Sequence, residues 1–305
     1  MKKYIIAIVV AVLALAPAGT MAKGPTPELY RDYPAMLATV TSKLRHALEV
    51  NPHATADSMR HHVLSTLTDG PVGSARQLAP VRRKKISPAD LYELCRKSTL
   101  VFGKMENVSY LNRDSAYSNA SAVSLTPDGI VATNFHVVAD LVINGAMGRE
   151  VPGDHARFVM DYDGDVYPVT EILYIDPIND LSIIRVDASA KPLTPAPLAG
   201  DLRVGDTTYC LSNPSGAYFH FTEGQVSNAT GTLDTRNGRN KYILEITSDY
   251  GVGASGGPIF DAYGNLAALV SSTLSLYAQP QEFRNFQMAY KQTVPVFLIK
   301  DLFED

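Results

Sequence analysis

Three separated segments of the chain contain the residue types needed for acyl transfer. Ser255 lies within the segment GASGGP. Glycines on both sides of a serine allow a sharp turn that exposes its hydroxyl and leaves neighbouring backbone N–H groups uncovered. Such N–H groups stabilise the oxyanion that forms when a hydroxyl attacks a carbonyl carbon. The segment therefore predicts a serine nucleophile, and its structural alternative is a glycine-rich hairpin.

One histidine and two aspartates are candidates for the groups that would activate this serine. His136 lies in TNFHVV, at the end of an apolar segment that we expect to form a strand. An imidazole with a pKa near neutrality takes a proton from a serine and returns it to a leaving amine. Asp180 begins the apolar segment DLSIIRV, so we expect a partly buried carboxylate that needs a partner such as a histidine N–H. Asp176 is the nearby competitor, and each residue taken alone also has a structural interpretation.

The order of these segments resembles that of the trypsin-like serine peptidases. His136 precedes Asp180 by 44 residues, and Asp180 precedes Ser255 by 75 residues. The likeness covers about residues 98–305 and is strongest to bacterial HtrA-type proteases, although we expect no PDZ domain because only fifty residues follow Ser255. It implies a mostly β fold, a trypsin-like double β-barrel, with these three residues as the catalytic residues in the cleft between the barrels.

The same resemblance implies further site residues. The backbone N–H groups of Gly253 and Ser255 would form the oxyanion hole. The strand edge at Val270, Ser271 and Ser272 would bind the substrate backbone as an added β-strand.

Two positions bear on activation and specificity. Ala254 stands where digestive members of the family carry an aspartate and HtrA-type members usually an asparagine, so we expect contacts other than an ion pair to order the loop 249–254. Asp249 lies six residues before Ser255, the separation at which trypsins place the carboxylate of their primary specificity pocket. A buried carboxylate there would bind substrate Lys or Arg. The alternative is a solvent-facing loop aspartate, and HtrA-type enzymes prefer small aliphatic residues.

The elements that would position these residues follow from the pattern of apolar positions. From Leu100 onward, short apolar or alternating segments separated by turn residues predict β-strands. Residues 23–91 have apolar positions at three- and four-residue spacing and predict an N-terminal helical extension followed by a linker. The stretch from Pro295 to Phe303 predicts a short C-terminal helix. We therefore expect a helical region over residues 23–91 and a trypsin-like peptidase domain over residues 92–305.

Residues 1–22 have the order of a secretory signal peptide. Lys2 and Lys3 precede an unbroken apolar run from Ile5 to Ala16, and small residues follow it. We expect cleavage after Ala22, or as a second choice after Ala18, giving an exported protein that is periplasmic or secreted and has no stable membrane anchor. A retained N-terminal anchor is the alternative.

Charge and cysteine content argue against several classes of protein. Residues 92–305 carry fifteen Lys/Arg against twenty-five Asp/Glu, so no nucleic-acid partner is predicted. Residues 23–91 carry ten against six, and this opposite charge favours docking of the helical region on the peptidase domain. An inhibitory pro-segment, an assembly element and a substrate gate remain alternatives for this region. Cys95 and Cys210 permit a disulfide without requiring one, and no metal or organic cofactor is predicted.

The sequence thus predicts an exported serine endopeptidase that hydrolyses peptide bonds in protein or peptide substrates through an acyl-enzyme. Two alternatives use the same residues. One is a catalytically silent protease fold that binds peptides, and the other is an esterase or related acyl hydrolase.

Overall fold

A computed structural model describes residues 30–108, 113–234 and 238–304 of the chain. The expected signal peptide, residues 1–22, lies outside these ranges. The helices are α1 Tyr33–Ala38, α2 Val40–Val50, α3 Ala56–Thr66, α4 Pro88–Cys95, α5 Phe135–Ala146 and α6 Phe297–Lys300. The strands are β1 Gly73–Ser74, β2 Thr99–Val108, β3 Arg113–Ser124, β4 Ile130–Thr133, β5 Asp154–Met160, β6 Val166–Asp176, β7 Leu181–Val186, β8 Thr207–Ser212, β9 His220–Asp234, β10 Arg239–Ile246, β11 Pro258–Phe260, β12 Leu266–Gln279, β13 Arg284–Pro295 and β14 Phe303–Glu304.

Twelve of these strands close into two antiparallel barrels of six strands each. The first barrel has the order β2-β3-β4-β7-β6-β5, and the second has the order β10-β13-β12-β11-β8-β9. Closure pairs both edges of most strands, which is how all-β domains avoid exposed backbone groups. The predicted mostly β fold with a trypsin-like double barrel and N-terminal helices is confirmed.

The apolar strands of the first barrel are buried on both faces. In β7, Ile184 belongs to a core that takes residues from all six strands of the first barrel, whereas its neighbour Ile183 belongs to a core shared with residues of the second barrel such as Leu211. The core that contains Ile184 also includes Val138 and Leu141 of α5, so this helix packs against the same face of the strand. Successive strand residues point to opposite faces, so a strand covered on both sides is largely apolar on both. The segment LSIIRV fits this expectation, since five of its six positions are buried.

The N-terminal helices pack tightly on the first barrel. Met59 and Val63 of α3 belong to the same core as α5 and Ile184. Arg60 of α3 is buried and forms an ion pair with the buried carboxylate of Asp154 at 2.5 Å. A Cβ atom on Gly145 of α5 would lie 2.5 Å from the carbonyl oxygen of Arg60, so only glycine allows this close approach of the two helices.

The rest of the N-terminal region continues along the domain as far as the second barrel. Strand β1 pairs in parallel with β14 near the C-terminus. Arg82 lies in the segment that the sequence predicts to be a linker. Its backbone N–H donates to Asn265 Oδ1 at 2.8 Å, and its guanidinium donates to Gly264 O at 2.6 Å. Helix α4 then spans the expected boundary between residues 91 and 92. Residues 33–91 are therefore part of the folded unit.

The C-terminal helix is shorter than expected. Helix α6 covers only Phe297–Lys300, because Pro295 still belongs to β13 and Phe303 begins β14. Pairing with β1 takes up the last residues that we expect to be helical. Among the described residues, no helix is long and apolar enough to cross a membrane.

Candidate active site

His136 is positioned by the start of a helix. Strand β4 ends at Thr133, and α5 begins at Phe135, so the histidine lies in the first helical turn and not at the end of the strand as expected. The first backbone N–H groups of a helix have no partner within it. The N–H of His136 donates to Asp180 Oδ1 at 3.0 Å. Asn134 donates its side-chain N–H to the backbone oxygen of Asp180 at 2.9 Å.

The structure brings the three residues of the predicted acyl-transfer site into one hydrogen-bonded chain. Nδ1 of His136 lies 3.0 Å from Oδ1 and 2.9 Å from Oδ2 of Asp180. Nε2 of the same ring lies 2.9 Å from Ser255 Oγ. If Nδ1 carries the proton, Nε2 is the acceptor for the serine hydroxyl, which is the arrangement that a general base requires. Asp176, the competing aspartate, instead accepts backbone N–H groups of its own turn from Ile178 and Asn179.

Asp180 is held in an unusual backbone conformation. Its φ angle is +58°, in the left-handed region that aspartate tolerates better than most residues. Ser271 donates its hydroxyl to Asp180 Oδ2 at 2.7 Å. Burial by itself raises the pKa of the Asp180 carboxyl, but the hydrogen bonds from His136 and Ser271 outweigh it and lower the pKa below its ordinary value. The carboxylate is therefore ionised near neutral pH.

The backbone before Ser255 has N–H groups free to bind an oxyanion. Within the described ranges, neither the N–H of Gly253 nor that of Ser255 donates to another group of the protein. The N–H of Gly256, by contrast, donates to Val270 O at 3.0 Å. Gly253 has φ +90°, and a Cβ atom there would lie 2.9 Å from Asn213 O. The turn that presents these groups therefore requires glycine at position 253.

Contacts from two other segments hold the loop 249–254. Ser121 of β3, completely buried, donates its hydroxyl to Gly253 O at 3.2 Å. Ser215 donates its backbone N–H to Val252 O at 2.8 Å and its hydroxyl to the same oxygen at 3.0 Å. Ala254 is itself buried in the core of the second barrel. Hydrogen bonds and burial therefore hold this loop, in which position 254 has no carboxylate to form an ion pair.

The interpretation of Asp249 as the floor of a buried pocket is wrong. Its side chain is 81% exposed and forms an ion pair with Lys291 Nζ at 2.8 Å, which lowers the pKa of the carboxyl. The next residue, Tyr250, turns inward instead, and its hydroxyl lies within hydrogen-bonding distance of Ser272 O and Gln292 O. The solvent-facing alternative is the observed one.

At the edge predicted to bind substrate, the first residue whose backbone is free to pair is one position later than expected. Val270 is buried, its N–H donates to Gly257 O at 2.8 Å, and its carbonyl accepts from Gly256, so it offers no free backbone group on this edge. Ser271 lies at a β-bulge between β12 and β13, with its side chain on Asp180. The carbonyl of Ser272 faces Tyr250. The edge that is free to pair therefore starts at Ser271 and continues along β12.

Helix α1 lies next to this site. A cavity of about 430 Å³ borders Gly253, and its wall includes Leu37 of α1 and Tyr218. The ring of Tyr33, also in α1, stacks on Phe219 with ring centroids 5.9 Å apart. The sequence gives no sign of this contribution, because an apolar helical face predicts packing but not the surface that it covers.

Comparisons with known proteins agree with this fold. Residues 120–269 match the model of the trypsin-like peptidase domain. Similar proteins include Protease Do-like 5, chloroplastic, from Arabidopsis thaliana, which is 29% identical over 153 residues, covering 48% of this chain and 46% of that protein. Another is a probable periplasmic serine endoprotease DegP-like from Chlamydia pneumoniae, 27% identical over 151 residues, covering 50% of this chain and 28% of that protein. The matched part of the chain thus spans less than half the length of these relatives.

Two solved protease structures share this fold. The crystal structure of Deg5 superposes with a TM-score of 0.52 at 21% identity, covering 70% of this chain and 90% of that one. An HtrA-type protease solved with a tripeptide superposes with a TM-score of 0.51 at 20% identity, covering 71% of this chain and 62% of that one. On this evidence, residues 120–269 match a trypsin-like peptidase domain, and the chain is similar to HtrA and Deg serine proteases.

Proposed function

We propose that this protein is a serine endopeptidase that hydrolyses peptide bonds through an acyl-enzyme, with His136, Asp180 and Ser255 as its catalytic residues. The observation that supports this most directly is the 2.9 Å contact between His136 Nε2 and Ser255 Oγ, continued by the bonds from Nδ1 to the Asp180 carboxylate. A nucleophile, a base and a group that orients the base are the parts that acyl transfer needs.

In the proposed reaction, His136 Nε2 takes the proton of the Ser255 hydroxyl while Oγ forms a bond to the carbonyl carbon of the peptide. The carbonyl oxygen becomes an oxyanion next to the free N–H groups of Gly253 and Ser255. The C–N bond then breaks, and the imidazolium gives its proton to the leaving amine. Water repeats the sequence: His136 takes its proton, the hydroxide attacks the acyl carbon, and the bond to Oγ breaks as the serine recovers its proton.

The Asp180 carboxylate stabilises the imidazolium in both halves of this cycle. Its lowered pKa keeps it ionised, and Ser271 and the backbone N–H of His136 hold it in place. Since the carboxylate also fixes Nδ1 as the protonated nitrogen, Nε2 remains available to the serine.

We infer that the protein acts after export. The support is the order of Lys2, Lys3 and the apolar run Ile5 to Ala16, together with the name of the Chlamydia pneumoniae relative, which is periplasmic. The Arabidopsis relative is named as chloroplastic, so the destination differs among similar proteins. Mass spectrometry of the mature N-terminus tests this inference: cleavage after Ala22 or Ala18 supports it, and an intact N-terminus contradicts it.

A fluorophosphonate probe tests the catalytic assignment. We expect the mature protein to be labelled at Ser255, and the labelling to be lost in Ser255→Ala and His136→Ala but kept in Ser65→Ala, an exposed serine on α3. A digest of a peptide library should show peptide-bond cleavage by the wild type and Ser65→Ala, and none by Ser255→Ala or His136→Ala. A folded protein that the probe never labels would instead be a peptide-binding protein. Labelling together with ester but not peptide hydrolysis would indicate an esterase.

A further inference from the structure

Beyond the second barrel, β12 and β13 continue as a two-stranded ribbon, residues 273–290. Strand β11 pairs with β12 only as far as Leu269, and β10 pairs with β13 only from Lys291 to Thr293. Among the described residues, no other strand pairs with the ribbon. Both of its edges therefore carry backbone N–H and C=O groups that are open to a further strand.

One face of the ribbon is apolar and exposed. Leu274 and Leu276 share one face of β12 because strand residues alternate, and their cross-strand partners Tyr290 and Met288 lie on the same face. Toward the tip of the ribbon, β13 has one extra residue between Met288 and Phe286, and Tyr277 pairs with Phe286 beyond this β-bulge. Exposed apolar surface of this extent on a ribbon that is marginal by itself marks an interaction site.

The exposure is large for apolar side chains. Leu274 and Phe286 are each 57% exposed, Met288 is 47% and Leu276 is 44% exposed. The opposite face carries small residues, such as the pair Ser275 and Ala289. The two faces of the ribbon therefore differ in polarity, and a strand added to its edge meets apolar side chains at every second position.

The free edge of the ribbon begins beside Ser255. Strand β11 runs antiparallel to β12, and its pairing is extended toward the serine by the bonds between Gly257 and Val270 and between Gly256 and Val270. Ser255 therefore lies at the point where the pairing of β11 with β12 ends and the unpaired edge of β12 begins. A substrate strand that pairs with the open edge of β12 in the antiparallel direction runs toward Ser255 and has its C-terminal end at the serine. The substrate residues on the N-terminal side of the reacting carbonyl then lie along the ribbon.

We propose that the ribbon is an extended substrate-binding surface, which selects unfolded polypeptide segments with apolar residues at alternate positions on the N-terminal side of the cleaved bond. The segment adds as a third strand to the edge of β12 from Ser271 to Leu276 or beyond, and alternate side chains pack on Leu274 and Leu276. At about 3.4 Å per residue, the edge from Ser271 to Gln279 accommodates roughly eight substrate residues. This proposal rests on the proposed function, because it assigns the edge to the substrate of the same serine.

The alternative occupant of this surface is a second copy of the chain. The continuity between the open edge and Ser255 favours the substrate, because a strand of any partner paired along β12 antiparallel to it would lead into the site. Ser271 strengthens this connection, since the residue at the start of the edge also donates to the Asp180 carboxylate.

The test compares a cleavable core peptide with two longer synthetic peptides that contain the same core. The leucine peptide carries eight further residues on its N-terminal side, with leucine at alternate positions, and the matched serine peptide has serine at those positions. We expect kcat/KM for the leucine peptide to exceed that of the core peptide by about tenfold, given two added apolar cross-strand contacts. The double variant Leu274→Ser/Leu276→Ser should reduce the ratio of kcat/KM for the leucine peptide to kcat/KM for the core peptide to near one. Ala289→Ser, on the opposite face, should leave this ratio unchanged. Equal kcat/KM values for the three peptides in the wild type would overturn the proposal.

Binding to the Ser255→Ala variant separates this proposal from the proposed function. Fluorescence anisotropy should show tighter binding of the leucine peptide than of the serine peptide, and the double change at Leu274 and Leu276 should remove the difference, with circular dichroism confirming the fold. This result supports the ribbon as a binding surface even if no peptide is cleaved. Equal binding of both peptides overturns the proposal and leaves the proposed hydrolysis standing if the core peptide is cleaved. A dimer in sedimentation that the double variant makes monomeric, with peptide binding unchanged, also overturns it.

Discussion

The Asp180 carboxylate accepts hydrogen bonds from two parts of His136, the ring nitrogen Nδ1 and the backbone N–H at the start of α5. The Asp180 side chain therefore orients the imidazole and also binds the N-terminal turn of the helix that carries it. The backbone bond satisfies an N–H that has no partner within the helix, so the same contact contributes to stability and to the geometry of the site.

Replacing Asp180 by asparagine should separate the chemical contribution of the carboxylate from its volume. In Asp180→Asn the amide keeps its size, but its N–H group favours the unprotonated form of Nδ1, which leaves the wrong tautomer for the serine. We expect kcat to fall about 10⁴-fold. Asp176→Asn is the matched control, because Asp176 bonds to its own turn and to Arg239 and to none of the three proposed catalytic residues, so kcat of the folded variant should stay near the wild-type value. Similar losses for both variants would contradict the assignment.

The lowered pKa of Asp180 predicts a pH dependence of stability. A carboxyl with a lower pKa in the folded state stabilises the fold above its unfolded pKa of about 4, and loses that contribution as the pH falls through its folded pKa. We compare the Tm of the inactive Ser255→Ala protein with the Tm of the double variant Ser255→Ala/Asp180→Asn. The difference between the two should be constant from about pH 6 to 8 and shrink below about pH 4. A difference that persists unchanged in strong acid would contradict the cause that we give for the shift.

Ser121 lies in the first barrel, but its substitution should affect the loop 249–254, which precedes Ser255. Its hydroxyl donates to Gly253 O and accepts the backbone N–H of Asn213 at 3.0 Å, so Ser121→Ala leaves a buried N–H without this partner. We expect a loss of about 1–3 kcal/mol in the free energy of unfolding, together with a lower kcat, since the loop is held less firmly. Ser124→Ala, also buried on β3 but bonded to Thr126, is the control and should lower stability without lowering kcat.

The two cysteines should be unreactive in the folded protein. Cys95 and Cys210 are free thiols, both buried, and burial raises the pKa of each to about 12. The thiolate is the reactive form, so Ellman's reagent at pH 8 should titrate neither thiol in the native state and both in denaturant. Rapid native reaction of either cysteine would show that its site opens to solvent. Absence of both thiols in denaturant would show that they pair.

Asp249 should not determine the residue at which the protein cleaves. Its carboxylate is exposed and paired with Lys291, so Asp249→Ala removes a surface ion pair of small energetic value. We expect the cleavage preference measured on a peptide library to be the same for the variant and the wild type. A selective loss of cleavage after Lys or Arg in Asp249→Ala would restore the idea that this carboxylate recognises a basic side chain.

The sequence was sufficient for the features that depend on local pattern. The apolar runs predict the strands of the barrels, and LSIIRV in particular coincides with β7, Leu181–Val186. The glycines around Ser255 predict a tight turn, and Gly253 has the positive φ angle that such a turn needs. The residue types around His136, Asp180 and Ser255 pointed to acyl transfer, and the order of these residues resembles that of the trypsin-like serine peptidases. These signals are carried by residue type and short-range spacing, which a single sequence contains.

Only the tertiary structure decided which distant groups meet. Ser271 bonds to Asp180 across 91 residues, and Ser121 bonds to Gly253 across 132 residues, although nothing in the local sequence of either serine distinguishes it. The inward turn of Tyr250, which leaves Asp249 exposed, likewise depends on contacts with β12 and β13. Such contacts follow from how the strands of both barrels are registered, and a shift of one residue would turn each side chain to the other face.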